Sequence, residues 1–501
     1  MSKDKHPDTS ENLTEKKDAS PTYYVGIGAS AGGLEAIEDF FKHAPEDSGM
    51  AFVVVQHLSP VHKSMMVELL SRHTEMPVLR AEHNMKVEPN HVYLIPPNHN
   101  LKIFHGSLLL DKQEHDRGLN LPIDIFFKSL AEDQEDKAIA IVLSGTGSDG
   151  TRGIRTIKEK LGMVMIQDIE SAQFDGMPKN AIATSVADFI LPPKEMPKQL
   201  MAFAKHPYAS RSELSGSIMS DEDGLTRIFY QLREKHGIDF TFYKQSTLLR
   251  RVERRLLVNQ MESLDDYVRF LESNTAEVLT LYRELLIGVS NFFRDRKAFD
   301  LIENTYLPEL VRKRKGGELR IWVAGCSTGE EAYSLAILCC ECIHNLGVDV
   351  DVKIFATDVN RDAVMTASHG AFPESIAGDV PAHLLGKYFF HQDDSFRVTR
   401  TIREMVVFAQ QNLIKDPPFT NMDLVTCRNL LIYLQPVLQR KAMELFNFSL
   451  RPEGIMFLGA SETIGEMESY FEPLHNKWKI FRSRGKKNIG AVITDPTAML
   501  Q

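Results

Sequence analysis

A short apolar run, Tyr23-Tyr24-Val25-Gly26-Ile27, breaks into the small residues Gly28-Ala29-Ser30-Ala31-Gly32-Gly33 and resumes as an amphipathic run through Leu34, Ile37, Phe40 and Phe41. This reads as a buried strand, a sharp turn and a helix, and it commits the region to an α/β layer. Ser30 falls on the turn, flanked by residues small enough for the backbone to bend and a substrate to approach. Gly28-x-Ser30-x-Gly32 fits a nucleophile elbow, which exposes a serine hydroxyl beside helix-terminal N–H groups. Gly26-x-Gly28-x-x-Ala31 equally resembles a dinucleotide fingerprint, which wants an acidic residue after the second strand; the next strand, 51–57, ends in His57 instead. Pattern alone leaves a nucleophilic serine and a phosphate-cradling loop side by side.

From 22 to about 200, strand-like runs (23–28, 51–56, 92–95, 138–143, 163–167 and 187–191) alternate with helical ones, which predicts a doubly wound, mostly parallel α/β sheet, with a hairpin around 100–110. Residues 224–295 are helical in pattern, and strands at 319–324, 352–357, 423–426 and 455–459 then alternate with helices again. At 501 residues the chain exceeds one core. The expected divisions are a disordered tail (1–21), a first α/β domain (22–195), a linker (196–222), a small helical subdomain (223–295), a second α/β domain (296–487) and a tail (488–501). No apolar run is long enough to span a bilayer, and the charged first residues lack a signal core, so a cytoplasmic protein that is not membrane-inserted is expected. A net charge of -10 argues against general nucleic-acid binding. The five cysteines do not suggest a disulfide framework. Cys339-Cys340-x-Cys342 with His344 reads as buried free thiols rather than a metal site, and no metal is expected.

Ser30, His57 and Asp149 each fall just beyond a strand, and carboxyl ends of parallel strands face one crevice. Those residue types suit acyl transfer: Ser30 as nucleophile, His57 as base and Asp149 as the group that fixes the imidazole. His57 could instead pack at a strand end. Asp149 lies in Ser144-Gly145-Thr146-Gly147-Ser148-Asp149-Gly150, which could be a turn, or a second dinucleotide loop answered by Asp168. Taken together, Gly26 to Gly33, Val55-Gln56-His57-Leu58, Leu143 to Gly150 and Phe174-Asp175-Gly176-Met177-Pro178 resemble, in order, the signature of bacterial chemotaxis protein-glutamate methylesterases. The resemblance implies a doubly wound α/β hydrolase with Ser30, His57 and Asp149 as its triad. Stand-alone members usually carry a receiver domain ahead of this one; the residues before 22 cannot hold it, so phospho-regulation of that kind is not expected.

In the second α/β region, strand 319–324 runs into Gly325-Cys326-Ser327-Thr328-Gly329-Glu330-Glu331 and then a helix. Glu331 could balance a positive group, and Asp358, at the end of the next strand, is placed to accept hydrogen bonds from ribose hydroxyls. The diphosphate-cradling glycine spacing is absent, which favours an adenosyl ligand without phosphates. Ahead of it, Leu248, Val252 and Leu256 share a helix face flanked by Arg250/Arg254 and Arg251/Arg255, readable as a solvated face or as a docking strip for an acidic partner. Arg294, after Phe292-Phe293, could hold a carboxylate bidentately or simply pair with a neighbouring acid.

Ser290-Asn291-Phe292-Phe293-Arg294-Asp295, Cys326 to Glu331, Ala356-Thr357-Asp358, Gln411-Asn412-Leu413 and Cys427-Arg428-Asn429-Leu430-Leu431-Ile432-Tyr433 are similar to chemotaxis receptor glutamate methyltransferases. That resemblance implies a Rossmann-like class I methyltransferase domain with a small β insertion around 386–408. It implies S-adenosylmethionine (product S-adenosylhomocysteine) held by Ser290, Arg294, Glu331, Asp358, Asn412, Leu413, Arg428 and Asn429, with Tyr433 near the transferred methyl. Ser290 stands where threonine is usual, and Ala332 where proline is common. The whole chain thus resembles a chemotaxis CheB–CheR fusion, expected to methylate glutamates of the cytoplasmic domains of methyl-accepting receptors and to hydrolyse the esters. The alternatives are the same chemistries on another substrate, or a scaffold that has lost one or both activities.

Overall fold

The structure, a computed structural model, describes residues 20–57, 65–113, 120–206, 222–286 and 288–485. Residues 1–19 of the first expected tail, all of the second, and residues 207–221 of the expected linker lie outside that set.

The first domain is built on a seven-stranded sheet in the spatial order Phe189–Leu191, Met163–Gln167, Ala138–Val142, Tyr24–Ala29, Ala51–Gln56, Val92–Leu94, Val78–Arg80. Every pairing in it is parallel. Alternate residues serve opposite faces: Val25 and Ile27 join one core, Tyr24 the other. The Gly33–Phe41 helix buries Ile37, Phe40 and Phe41 on the first face. The Pro122–Gln134 helix buries Ile123, Phe126 and Phe127 on the second, at about 2–3 kcal/mol per fully buried aromatic. That helix lies so close to the strand that a Cβ on Gly28 would stand 2.4 Å from Ile123.

The expected hairpin is His99–Phe104 paired with Ser107–Lys112, and Met85–Lys86 adds to it as a separate sheet. The short edge strand Val78–Arg80 was not expected. The domain also runs past 195. The Met196–Ala204 helix, read as linker, places Met196, Leu200 and Phe203 in the first core, with Phe203 against Tyr23 at 5.5 Å between ring centroids.

The helical subdomain comprises Glu222–His236, Gln245–Val258, Leu264–Ser273 and Thr275–Leu285, packed around Leu248, Val252, Leu256 and Tyr267. Beyond it, five parallel strands stand in the order Val406–Gln410, Asp351–Asp358, Glu318–Ala324, Met422–Cys427, Leu450–Leu458, which is the doubly wound order 3-2-1-4-5. An antiparallel pair, Ile480–Ser483 and Phe471–His475, completes the sheet. The β insertion is a three-stranded sheet of Ala371–Pro373, Ser395–Val398 and Phe389–Gln392, so it begins earlier than 386. Val406–Gln410, whose first three residues fall within the expected insertion, is instead an edge strand of the main sheet.

The arginine helix does not present a docking strip to solvent. Only Arg250 is exposed; Arg251, Arg254 and Arg255 are buried, the last two against acids from elsewhere in the chain and Arg251 against the Glu284 main-chain carbonyl at 2.8 Å. Arg254 donates to the main-chain oxygens of Leu161 and Gly162 in the first domain (3.1 and 2.9 Å), pairs with Asp188 of that domain, and reaches Glu284 at 2.7 Å. Arg255 clasps Glu277 at 2.8 and 2.6 Å. Lys158 of the first domain donates to Asp188 at 2.6 Å and stands 3.4 Å from Glu284. The result is a buried network of alternating charge across the domain boundary. Burial works against ionisation of Asp188, but Arg254 and Lys158 overcome it and hold its carboxyl well below the usual range.

Candidate functional sites

Ser30 directly follows strand Tyr24–Ala29, His57 follows the neighbouring strand Ala51–Gln56, and Asp149 lies in the loop after Ala138–Val142 on the other side. The serine and aspartate thus flank the point where strand order reverses, where doubly wound sheets open a crevice. The structure brings the three side chains together. His57 Nε2 lies 2.7 Å from Asp149 Oδ2, and His57 Nδ1 lies 3.4 Å from Ser30 Oγ. The ring nitrogens are therefore used in the reverse sense to the serine-protease pattern. A neutral imidazole with its proton on Nε2 donates to Asp149 and offers the Nδ1 lone pair to the hydroxyl.

Asp149 is buried, and main-chain N–H groups compensate its charge: Ile123 at 3.0 Å, Asp124 at 2.9 Å and Gly150 at 2.8 Å. The first two begin the Pro122–Gln134 helix, so the close approach that Gly28 permits is also what delivers donors to Asp149. The loop is snug beneath the serine; a Cβ on Gly145 would stand 2.9 Å from Ser30 Cβ and 2.2 Å from Met177 Sδ. Asp124, which sequence reasoning missed, is buried beside Asp149. Burial, with the neighbouring charge of Asp149 added, pushes its carboxyl up to about 8.

The second site is a cavity of about 850 Å³, open mouth included, at the carboxyl ends of the second sheet. Ser290, Arg294, Glu331, Asp358, Arg428, Asn429 and Tyr433 all line it. Asn412 and Leu413 are not in that lining: the Asn412 side-chain oxygen accepts from Ile414 and Lys415 N–H at 3.0 and 3.2 Å, and Leu413 packs against the apolar core. Asp358 accepts from the Ser327 and Asn360 N–H groups, both at 2.9 Å, and burial raises its carboxyl above the usual range. Glu331 accepts from Thr426 at 2.6 Å and Arg428 at 3.1 Å. Arg428 is fixed further by Asp295 at 2.7 Å and by the Phe457 ring, 4.5 Å from its guanidinium carbon.

Asn429 Oδ1 and Arg251 Nε are buried without a hydrogen-bond partner, and both residues line the cavity. An acceptor of this kind beside two carboxylates suits a ligand that brings hydroxyls and positive charge. The lining also includes Tyr243, Arg251 and Glu159, which sequence reasoning did not place there. Glu159 comes from the first domain. Cys339 and Cys342 are buried in the core and Cys340 packs against Met405; among the described residues, no cluster of metal-ligating side chains occurs.

Fold and geometry define a class: a parallel α/β domain of hydrolase type with a serine–histidine–aspartate constellation, joined to a methyltransferase-type domain. The CheB methylesterase family profile matches residues 25–200, that of the CheR methyltransferase all-alpha domain residues 223–286, and that of the CheR methyltransferase SAM binding domain residues 288–480. A chemotaxis protein methyltransferase of Borreliella burgdorferi is 32% identical over 263 residues, covering 51% of this chain and 93% of that protein. A protein-glutamate methylesterase/protein-glutamine glutaminase of Thermotoga maritima is 32% identical over 193 residues, covering 38% of this chain and 56% of that protein. An uncharacterized 104.1 kDa protein of Rhodobacter capsulatus is 38% identical over 442 residues; the match covers 83% of this chain but 46% of that protein. The chain belongs to the chemotaxis protein methyltransferase family and carries a CheB methylesterase domain ahead of the CheR domains. No helix among the described residues is long and apolar enough to cross a membrane.

Proposed function

We propose that the chain adds methyl groups to, and removes them from, glutamate side chains in the cytoplasmic domains of methyl-accepting chemotaxis receptors. The observation that carries the reading is the His57 imidazole standing between Ser30 and Asp149, in a chain that also holds a donor-type pocket ending at Asp358. In the first domain His57 takes the Ser30 proton as Oγ attacks the ester carbonyl, then returns it to the departing methanol. A water activated by the same imidazole cleaves the acyl-serine and frees the glutamate. Asp149 holds the ring and balances the imidazolium. Attack on a side-chain amide by the same machinery would convert glutamine to glutamate, the second activity in the Thermotoga relative's name.

In the second domain, Asp358 accepts hydrogen bonds from ribose hydroxyls, while Glu331, Arg428, Ser290 and Asn429 fix the amino-acid end of the donor. S-adenosylmethionine supplies a methyl group on a sulfonium when bound. A glutamate carboxylate is already nucleophilic, so no general base is required; positioning and desolvation lower the barrier. Arg294, which the resemblance implies as a donor ligand, is assigned here with Tyr433 to the acceptor carboxylate instead, because its guanidinium faces Glu159 rather than Asp358 or Glu331. Burial raises the Tyr433 hydroxyl above its ordinary value, keeping it a neutral donor. Methanol release from a methylated receptor fragment tests the first half: it should disappear with Ser30→Ala, and unchanged release would refute the assignment.

A further inference from the structure

Glu159 is the last residue of the Thr151–Glu159 helix in the first domain, yet it lines the cavity of the second. Its Oε1 stands 3.4 Å from an Arg294 guanidinium nitrogen, and both side chains are about one-quarter exposed. Arg251 and Tyr433 line the same cavity. The first domain contributes no other residue to that lining among those described.

The helix that carries Glu159 is gripped along one face. Arg152 pairs with Asp379 and reaches the Ser375 carbonyl, Arg155 faces Glu330 at 3.6 Å, and Lys158 faces Glu284 at 3.4 Å. Steps of three residues keep these cations on the same side. At the helix start, Ser148 Oγ accepts from the Ser375 N–H and Thr151 Oγ1 lies 2.9 Å from Ser375 Oγ. Glu159 is thus carried to the cavity lining on a helix held at several points.

We propose that Glu159 is a tethered stand-in for the methyl-accepting glutamate: its carboxylate takes the place at Arg294, beside Tyr433, that a receptor glutamate must occupy. The chemistry matches, since occupant and substrate are the same side chain and an arginine selects carboxylates. The donor end, at Asp358 and Glu331, stays free. Docking of the esterase domain therefore holds the transferase closed to its acceptor while leaving it able to load donor. A receptor segment enters only by displacing Glu159, which lowers its apparent affinity by the fraction of time the place is taken. The inference rests on the reading of Arg294 and Tyr433 as the acceptor end.

The test uses the full chain and two probes. Calorimetry measures S-adenosylhomocysteine affinity, and fluorescence anisotropy measures binding of a glutamate-bearing peptide from a receptor's cytoplasmic helix to the S-adenosylhomocysteine-loaded protein. Glu159→Ala should tighten peptide binding about two- to fivefold, the range of a partly exposed ion pair, with S-adenosylhomocysteine affinity unchanged. Glu159→Gln, which keeps the shape of the wall, should act in the same direction. Unchanged or weaker peptide binding with normal S-adenosylhomocysteine affinity would overturn the inference. So would tighter S-adenosylhomocysteine binding, because Glu159 would then be imitating the donor. Failure of the wild-type protein to bind S-adenosylhomocysteine at all would instead overturn the donor-site reading, and this inference with it.

Discussion

Asp149 and Glu159 bracket one helix: the first accepts a hydrogen bond from His57 in the esterase crevice, and the second faces Arg294 in the transferase cavity. The helix, which starts two residues after Asp149 and ends at Glu159, is nine residues long, roughly 14 Å end to end. One rigid element therefore borders both centres, although only its esterase end belongs to the triad. Asp149→Asn should lower methanol release about 10⁴-fold, because the amide stabilises the wrong tautomer of His57. The initial rate of methyl transfer by the same variant should stay within about twofold of wild type. Parallel loss of both activities would show that the substitution had damaged the helix rather than the triad.

Asp358 makes a separable prediction. If it accepts hydrogen bonds from ribose hydroxyls, Asp358→Ala removes charge-assisted bonds and should weaken S-adenosylmethionine binding about 10- to 150-fold. Calorimetry on the full chain reads this directly. Ester hydrolysis should be untouched, since the residue lies in the other domain; retained affinity would contradict the assignment.

The buried charges at the domain boundary predict a large stability effect. Asp188→Ala leaves Arg254 and Lys158 without their shared carboxylate in a buried setting. The cost should be about 3–5 kcal/mol in urea unfolding of the affected unit. A loss below about 1 kcal/mol would mean that water reaches the network, as at a surface pair.

Asp124 predicts a pH dependence. Its carboxyl is raised to about 8 in the folded chain, whereas in the unfolded chain it returns to the ordinary carboxylate range near 3.8. Between those values the folded state holds a proton that the unfolded state has released, so this group's contribution to stability falls as pH rises. Asp124→Asn keeps the acceptor for the Gly153 N–H, now at 2.7 Å, and removes the titration. The melting temperature of the variant relative to wild type should therefore climb from about pH 5 to about pH 8 and then level off. A pH-independent difference would contradict the shift.

What could be read in advance followed from locality. Ser30 and His57 each sit one step beyond an apolar strand and Asp149 lies in the loop after a third, so sheet topology brings them to one crevice. The Met196–Ala204 helix falls in the stretch expected as linker, although its apolar residues at 196, 200 and 203 have helical spacing; one short helix with a single apolar face is a weak signal beside the polar residues that follow it. The arginine helix was unreadable for a different reason. Arginines at i,i+4 look alike whether water or acids cover them, and Asp188 and Glu284 lie far away in sequence, the former in another domain. Glu159 carries no motif at all; only the docking of two domains gives it a neighbour in Arg294. Asn412 fits its motif, yet its side chain is engaged in a turn.

The most direct test of the account follows one methyl group through both domains. Full-length protein, a receptor cytoplasmic fragment and methyl-labelled S-adenosylmethionine are incubated together, and label is measured on the fragment and as free methanol. Wild type should show transient label on the fragment and accumulating methanol, Ser30→Ala should retain the label with no methanol, and Asp358→Ala should show neither. Methanol released by Ser30→Ala at the wild-type rate would contradict the account.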